Sequence, residues 1–420
     1  MPRTTEFDLL AVILEFRLKS CTTRWQRPSP LRILHSVART VEFMFIIEWK
    51  RSLHVSWRIN MRIGIVILHV CVALFVIPAS ETATCGQEMA ARPPHVMSVD
   101  GDVEGTHDPS IIKEDHNWYL FGTATGPRRD GELPLRCSPD LHHWSTCGYV
   151  LPAIPEWIRK ESPETKELWA PDISYFDGQY HLYYAFSAFG KNTSGIALLT
   201  NTTLDPKSPQ FRWVDQGLVL RSTAEDDFNA IDPNLVLDGT GQAWLAFGSF
   251  WGGIKMRKLD RRTGKLSIED TRLYSLASRE RPDNPVSAPP GLPPDWQAIE
   301  APFIVHHGDY YYLFVSFDLC CRGTKSNYRT MVGRSLNVTG PYVDERGKAM
   351  MEGGGSPLLL GNSKWIGPGG ESVRMGEDED IIVYHAYDAR TGVPSLQIST
   401  LTWTDGWPHA ALDGDASLAK

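Results

Sequence analysis

Basic residues are in short supply in this sequence. Its 42 lysines and arginines face 50 aspartates and glutamates, for a formal net charge of -8. No basic stripe is available to neutralise phosphates, which argues against nucleic acid as a main partner. The seven cysteines contain no CxxC pair, so a cysteine-built zinc cage is not expected. The His and Asp clusters that a metal-dependent phosphoesterase needs are missing as well. The apolar run from Ile63 to Ile77 is shorter than the roughly 20 residues that span a bilayer. Long helical periods are absent, which argues against a helical bundle.

Aromatic residues are plentiful instead, with 14 Trp and 14 Tyr in 420 residues. Such side chains fit pleated, half-buried strands. Their flat faces also suit stacking against sugar rings, although most aromatics in any fold are core.

The N-terminal region stands apart. Met61 opens MRIGIVILHVCVALFVIPAS, in which Arg62 is a charged start, Ile63 to Ile77 an apolar stretch and Ala79-Ser80 a pair of small residues. Residues 61–83 thus read as a secretory signal peptide, and the protein is expected to be secreted or periplasmic. Residues 1–60 carry no clear period and are expected to be a gene-model extension. The alternative is a cytoplasmic tail ahead of an uncleaved membrane anchor. Cys85 follows Thr82-Ala83-Thr84, a poor lipidation signal. Export agrees with the cysteines. Cys21 and Cys71 fall in segments expected to be absent from the mature chain, and Cys137 and Cys147 flank the hairpin-like SPDLHHWST and are placed to pair in an oxidising compartment. Cys320 and Cys321 are adjacent, and two states are open to them, a vicinal disulfide or two thiols.

A pattern recurs along the rest of the chain. HDPSIIKEDHNWYLFGT begins at His107, APDISYFDGQYHLYYAFSA at Ala170, DPNLVLDGTGQAWLAFGSF at Asp232 and APFIVHHGDYYYLFVSFD at Ala301. GGESVRMGEDEDIIVYHAYD, from Gly369, is a weaker copy. Each reads as a short apolar strand, a polar turn and an aromatic strand. Pro109, Pro171, Pro233 and Pro302 mark the frame at intervals of 62, 62 and 69 residues. This spacing predicts an all-β, five-bladed β-propeller over residues 98–405. A pair of β-sandwiches would explain the strands but not the period. The Pro-rich segment 280–296 lies inside the frame and is expected to be a rim loop beside the site.

In a propeller, equivalent positions form a ring about the axis. Asp108, Asp232 and Glu300 sit at or just before the framing prolines and Asp172 just after one, so they are expected to share one pore mouth. Asp205-Pro206 lies outside the frame and reads as a plain turn. Clustered carboxylates repel, so such a group either holds a cation or keeps one acid protonated. Glycoside hydrolysis uses the second arrangement, with one acid protonating the leaving oxygen and another carboxylate activating water.

His107-Asp108-Pro109, Ile231-Asp232-Pro233-Asn234 and Ile299-Glu300-Ala301-Pro302 resemble the three catalytic motifs of glycoside hydrolase family 43, inverting enzymes on five-bladed propellers. The resemblance implies Asp108 as general base, Glu300 as general acid and Asp232 as the residue that tunes and orients the acid. Glu167-Leu168-Trp169-Ala170-Pro171-Asp172, Gly248 to Ile254, Cys320-Cys321-Arg322-Gly323 and Gly361 to Gly369 resemble the members that degrade arabinan. This implies cleavage of α-1,5-linked L-arabinofuranose chains in plant cell-wall arabinan and pectin side chains. No stable protein partner is expected. Trp169 is implied as a stacking platform for sugar, with Phe250, Trp251 and His385 as further substrate contacts. Blade-core packing for Trp251 and a core role for His385 stand beside those readings.

No cofactor is required by this chemistry. The resemblance does imply a histidine beside a metal ion in the channel, after Gly-Pro-Gly. Here Gly370 stands at that place, so no metal ligand is carried over. Glu371, next in sequence, is an oxygen ligand available to a structural calcium. Three functions remain open: an inverting endo-arabinanase, an exo-acting α-L-arabinofuranosidase or β-xylosidase on the same fold, and a non-catalytic glycan-binding propeller.

Overall fold

The computed structural model describes residues 92–124, 130–288 and 292–415. The expected extension (1–60), the signal segment (61–83) and Cys21, Cys71 and Cys85 lie outside the described residues. Among the described residues the strands form five sheets of four or five strands, one for each sequence repeat.

Blade 1 contains Ser110–Glu114, Asn117–Phe121, Glu132–Ser138 and His143–Leu151. Blade 2 contains Leu168–Phe176, Gln179–Phe186, Gly195–Asn201 and Val214–Arg221. Blade 3 is built on Asn234–Leu237, Ala243–Phe247 and Ile254–Asp260. Blade 4 contains Ile299–His307, Tyr310–Phe317, Arg329–Ser335 and Ser356–Leu359, and blade 5 contains Trp365–Arg374, Asp380–Asp388 and Pro394–Thr404. Blade 5 takes an extra strand from the other end of the propeller. Val96–Met97 pairs antiparallel with it, Val96 opposite Ser399 and Met97 opposite Ile398. The blade strands reach from Val96 to His409, slightly past both ends of the 98–405 segment.

The second strand of each repeat is apolar on both faces because both faces are covered. In Tyr310–Phe317, Leu313 and Val315 pack with Trp244 and Ala246 of blade 3, while Tyr312 and Phe314 pack with Ile382 and Tyr384 of blade 5. Side chains alternate along a strand, so each strand feeds two of the five inter-blade cores. The last core joins Leu120 of blade 1 to Val383 and Ile398 of blade 5 and closes the ring.

A polar seam reinforces it. One residue after the framing proline, Ser110 Oγ accepts the Ile173 N–H at 3.1 Å and Asp172 Oδ2 accepts the Leu235 N–H at 2.7 Å. At the same position Asn234 Oδ1 accepts the Ile304 N–H at 2.9 Å, and Ser372 Oγ donates to the Pro109 carbonyl at 2.8 Å. Each bond crosses to a neighbouring blade and satisfies a main-chain group at a sheet edge. Asp172 therefore belongs to this seam, and, as the sequence pattern expects, it also lines the axial cavity with Asp108 and Asp232. The expected Cys137–Cys147 pair is a disulfide that ties the last two strands of blade 1, and of the two states open to Cys320 and Cys321 the structure has the vicinal disulfide, in blade 4.

Candidate active site

The framing position has an unusual backbone. A residue before proline is normally extended, yet Asp108, Ala170, Asp232 and Ala301 have φ of 48°, 42°, 53° and 53°. Positive φ is uncommon outside glycine and marks strain that the surroundings must hold. The fifth equivalent residue is a glycine, Gly370, at 59°. These five residues line one cavity on the propeller axis, together with the prolines that follow four of them and Glu371, which follows the fifth. The turn redirects each chain toward the axis, and that is how residues far apart in sequence meet.

Asp108 is held from three sides. Thr123 Oγ1 donates to its Oδ2 at 2.6 Å. His107 Nδ1 lies 2.9 Å from the same oxygen, off the line of a directed hydrogen bond. The Asp108 N–H donates to His385 Nδ1 at 3.3 Å. Burial alone would raise the Asp108 pKa, but His107 and the Thr123 hydroxyl outweigh it and lower the value to about 2. Asp108 is thus a carboxylate at neutral pH. His107 moves the other way. Burial opposes its charge, yet Asp108, Glu300 and Glu167 raise its pKa above the ordinary value.

Glu300 has the opposite character. Ser249 Oγ donates to its Oε2 at 2.7 Å and Tyr328 OH to its Oε1 at 2.8 Å. Those two bonds favour the charged form, but burial dominates and raises its pKa. Asp232 accepts the N–H of Ala301, the residue after Glu300, at 3.1 Å. Its pKa is raised well above normal by burial, then by Glu300 and Asp108. Three carboxylates this close cannot all ionise. With Asp108 charged, the Asp232 and Glu300 pair retains a proton.

The expected sugar contacts separate into two groups. Trp169, Phe250 and Trp251 are half-buried and so keep surface to offer. Trp169 precedes Ala170, whose N–H donates to Thr123 Oγ1 at 2.8 Å, so it flanks the Asp108 side. Phe250 and Trp251 follow Ser249 and flank Glu300, and the Phe250 N–H donates to the Ile299 carbonyl at 2.9 Å. His385, by contrast, is 0% exposed. Its ring stacks on His107 at 3.8 Å between centroids, beneath Asp108, and has no free face for a sugar. Burial and the neighbouring His107 lower its pKa well below normal, so it is neutral.

Thr123, Tyr328 and Tyr387 escape sequence reading. Thr123 and Tyr328 lie beside other strands than Asp108 and Glu300, Tyr387 lies in blade 5 and bonds His107 at 2.8 Å, and nothing in their local sequence marks them. Ser249 lies inside Gly248-Ser249-Phe250-Trp251, where the aromatics draw notice first. Residues 280–288 and 292–296 of the Pro-rich segment are described. Asp295 faces Arg322, the neighbour of Cys321, at 3.7 Å, and Leu292 sits so close to Gly190 of blade 2 that a Cβ there would collide with it.

The channel does not suit an ion held by a histidine at position 370. A Cβ placed on Gly370 would lie 2.7 Å from Asp108 Oδ1 and 2.9 Å from His385 Nδ1, so that room is already filled. Glu371 Oε2 accepts from Ser316 at 2.8 Å and Thr330 at 3.1 Å, leaving Oε1 buried without a partner. Glu371 offers one free oxygen toward the roughly six to eight, waters included, that calcium takes. No step below runs through a metal.

A propeller with one ionised carboxylate and a proton-holding pair at its mouth has the equipment of a glycosidase. Residues 103–408 match the model of glycosyl hydrolases family 43, and the chain belongs to that family. It is 43% identical over 304 residues to extracellular endo-alpha-(1->5)-L-arabinanase 1 of Bacillus subtilis (strain 168), covering 72% of this chain and 86% of that protein. It is also 43% identical over 311 residues to an extracellular exo-alpha-(1->5)-L-arabinofuranosidase of Cellvibrio japonicus (strain Ueda107), covering 72% and 85%. Among solved structures it is similar to a GH43 endo-arabinanase from Bacillus licheniformis, with TM-score 0.65, 44% identity, and 74% and 99% of the two chains covered. The Cellvibrio cellulosa alpha-L-arabinanase complexed with arabinohexaose gives TM-score 0.68 and 41% identity, with 74% and 96% covered.

Proposed function

We propose that this chain is an exported arabinan endo-1,5-α-L-arabinosidase that inverts configuration by a single displacement. The observation that carries the reading is the meeting of Asp108 of blade 1, Asp232 of blade 3 and Glu300 of blade 4 at one buried site, where Thr123 and His107 hold Asp108 as a carboxylate and burial pushes Glu300 toward its protonated form. Asp108, as the ionised carboxylate, takes the proton of an attacking water. Glu300, protonated, delivers its proton to the departing glycosidic oxygen. Burial, with Asp108 nearby, keeps Glu300 from ionising, and Asp232 orients it through the Ala301 N–H. Trp169, Phe250 and Trp251 are the proposed sugar platforms.

The activities of the relatives favour arabinan as substrate, and two of them are named as extracellular. Two disulfides agree with an oxidising compartment. No helix among the described residues is long and apolar enough to cross a membrane. An exo-acting α-L-arabinofuranosidase is the second reading, favoured by the Cellvibrio japonicus relative and by Leu292 closing against blade 2.

Time-resolved sizing of products from debranched 1,5-arabinan separates the two. The endo reading predicts mixed oligosaccharides at the earliest times. Arabinose alone would favour the exo reading. No product from arabinan or xylo-oligosaccharides would leave a glycan-binding propeller.

A further inference from the structure

His107 makes more contacts with the site than its place in the His-Asp-Pro motif suggests. Its ring is buried between blades 1, 4 and 5 and stacks on His385. Nδ1 lies 2.9 Å from Asp108 Oδ2. Nε2 lies 2.8 Å from Tyr387 OH, and the same phenol oxygen accepts the Cys321 N–H at 2.9 Å. The phenol oxygen has a second lone pair for Nε2, so an imidazole protonated at both nitrogens satisfies Tyr387 and the Asp108 carboxylate at once. Its partners are fixed at both ends, by the Asp108 turn and by the backbone of the vicinal disulfide.

From this geometry we infer that His107 is a cationic positioning residue, held by Tyr387 and the Cys320–Cys321 turn, which sets the protonation of Asp108 and Glu300 together. The inference rests on the reading of Asp108 as base and Glu300 as acid. The charged or titratable groups facing His107 are Asp108, its neighbour in the chain, Glu167 ahead of blade 2, Glu300 of blade 4, and His385 and Tyr387 of blade 5. Those facing Asp108 are His107, His385, Asp232, Glu300, Glu371, Tyr328 and Tyr387. Among them His107 is the cation within reach of both carboxylates. It lowers the pKa of Asp108 and, more weakly than burial raises it, that of Glu300. Removing its charge moves both values the same way, upward.

The test is the pH dependence of kcat/KM on a defined 1,5-arabino-oligosaccharide for the wild type and His107→Gln. The acidic limb reports the free enzyme's base and the alkaline limb its acid. Both limbs are expected to move to higher pH, the acidic one by about one pH unit or more, with kcat/KM at the optimum reduced about tenfold. A variant with lower activity but unmoved limbs would show a purely structural histidine and overturn the inference. Tyr387→Phe keeps the ring packing and removes the Nε2 partner. It is expected to move both limbs in the same direction by less, and it decides the matter if His107→Gln does not fold. A wild type without turnover on arabinan would count against the proposed function instead. The Asp108 carboxyl titration, followed by carbon-13 NMR in the wild type and His107→Gln, would still test this inference. An unchanged Asp108 titration would overturn it.

Discussion

Thr123 Oγ1 donates to Asp108 Oδ2 at 2.6 Å while it accepts the Ala170 N–H at 2.8 Å. One hydroxyl thus couples the carboxylate of blade 1 to the equivalent turn of blade 2. Thr123→Val keeps the shape and removes both bonds. It leaves the Ala170 N–H without that partner, a cost of about 1–3 kcal/mol, and weakens the hold on ionised Asp108. Chemical denaturation is expected to show the lower stability. The acidic limb of kcat/KM is expected to move upward, because Asp108 loses a bond that favours its charge.

The two proposed catalytic carboxylates separate by leaving group. Glu300→Gln removes the acid, so substrates with poor leaving groups are expected to slow by about 10²–10⁴ while activated aryl arabino-oligosaccharides slow much less. Asp108→Asn removes the base and is expected to slow both kinds alike. Steady-state kinetics on the two substrate types checks the pair of assignments, and equal losses for Glu300→Gln on both would remove its role as acid.

Asp172 carries a pH dependence of stability. Burial raises its pKa to about 7, against the two hydrogen bonds it accepts. Its folded value lies above the roughly 3.9 of an unfolded aspartate. The stabilising contribution is therefore complete below about pH 4 and is lost as pH rises through 7. Asp172→Asn keeps an oxygen for the Leu235 N–H and cannot ionise. Its Tm is expected to fall less than that of the wild type between pH 5 and 8. A parallel fall in both proteins would show that Asp172 does not titrate there.

Phe314 is fully buried between blades 4 and 5. Phe314→Ala opens a cavity in that core and is expected to cost about 3–5 kcal/mol, measurable by urea unfolding. A cost below about 1 kcal/mol would mean that the blades repack around the gap.

Much of this was readable beforehand, for reasons the structure makes plain. The framing prolines follow a kinked residue that must recur in every blade, so Asp108, Asp232 and the Glu300-Ala301 step stand out by position. The second strands are aromatic throughout because blades cover both of their faces. The polar seam leaves a signal too: Ser110, Asp172, Asn234 and Ser372 share one column of the repeat, and Asp172 both bridges blades and lines the axial cavity. Thr123, Tyr328 and Tyr387 left none, since each acts across strands or blades on a residue distant in sequence. The burial of His385 was equally hidden, because a histidine in an aromatic strand reads the same whether it faces a sugar or lies beneath a carboxylate.

The central claim is a single displacement, with Asp108 activating water and Glu300 protonating the leaving group. Proton NMR of the sugar released in the first moments of arabino-oligosaccharide hydrolysis tests it most directly. The account predicts that the β-anomer forms first and then mutarotates toward equilibrium. First formation of the α-anomer would mean net retention and would contradict it.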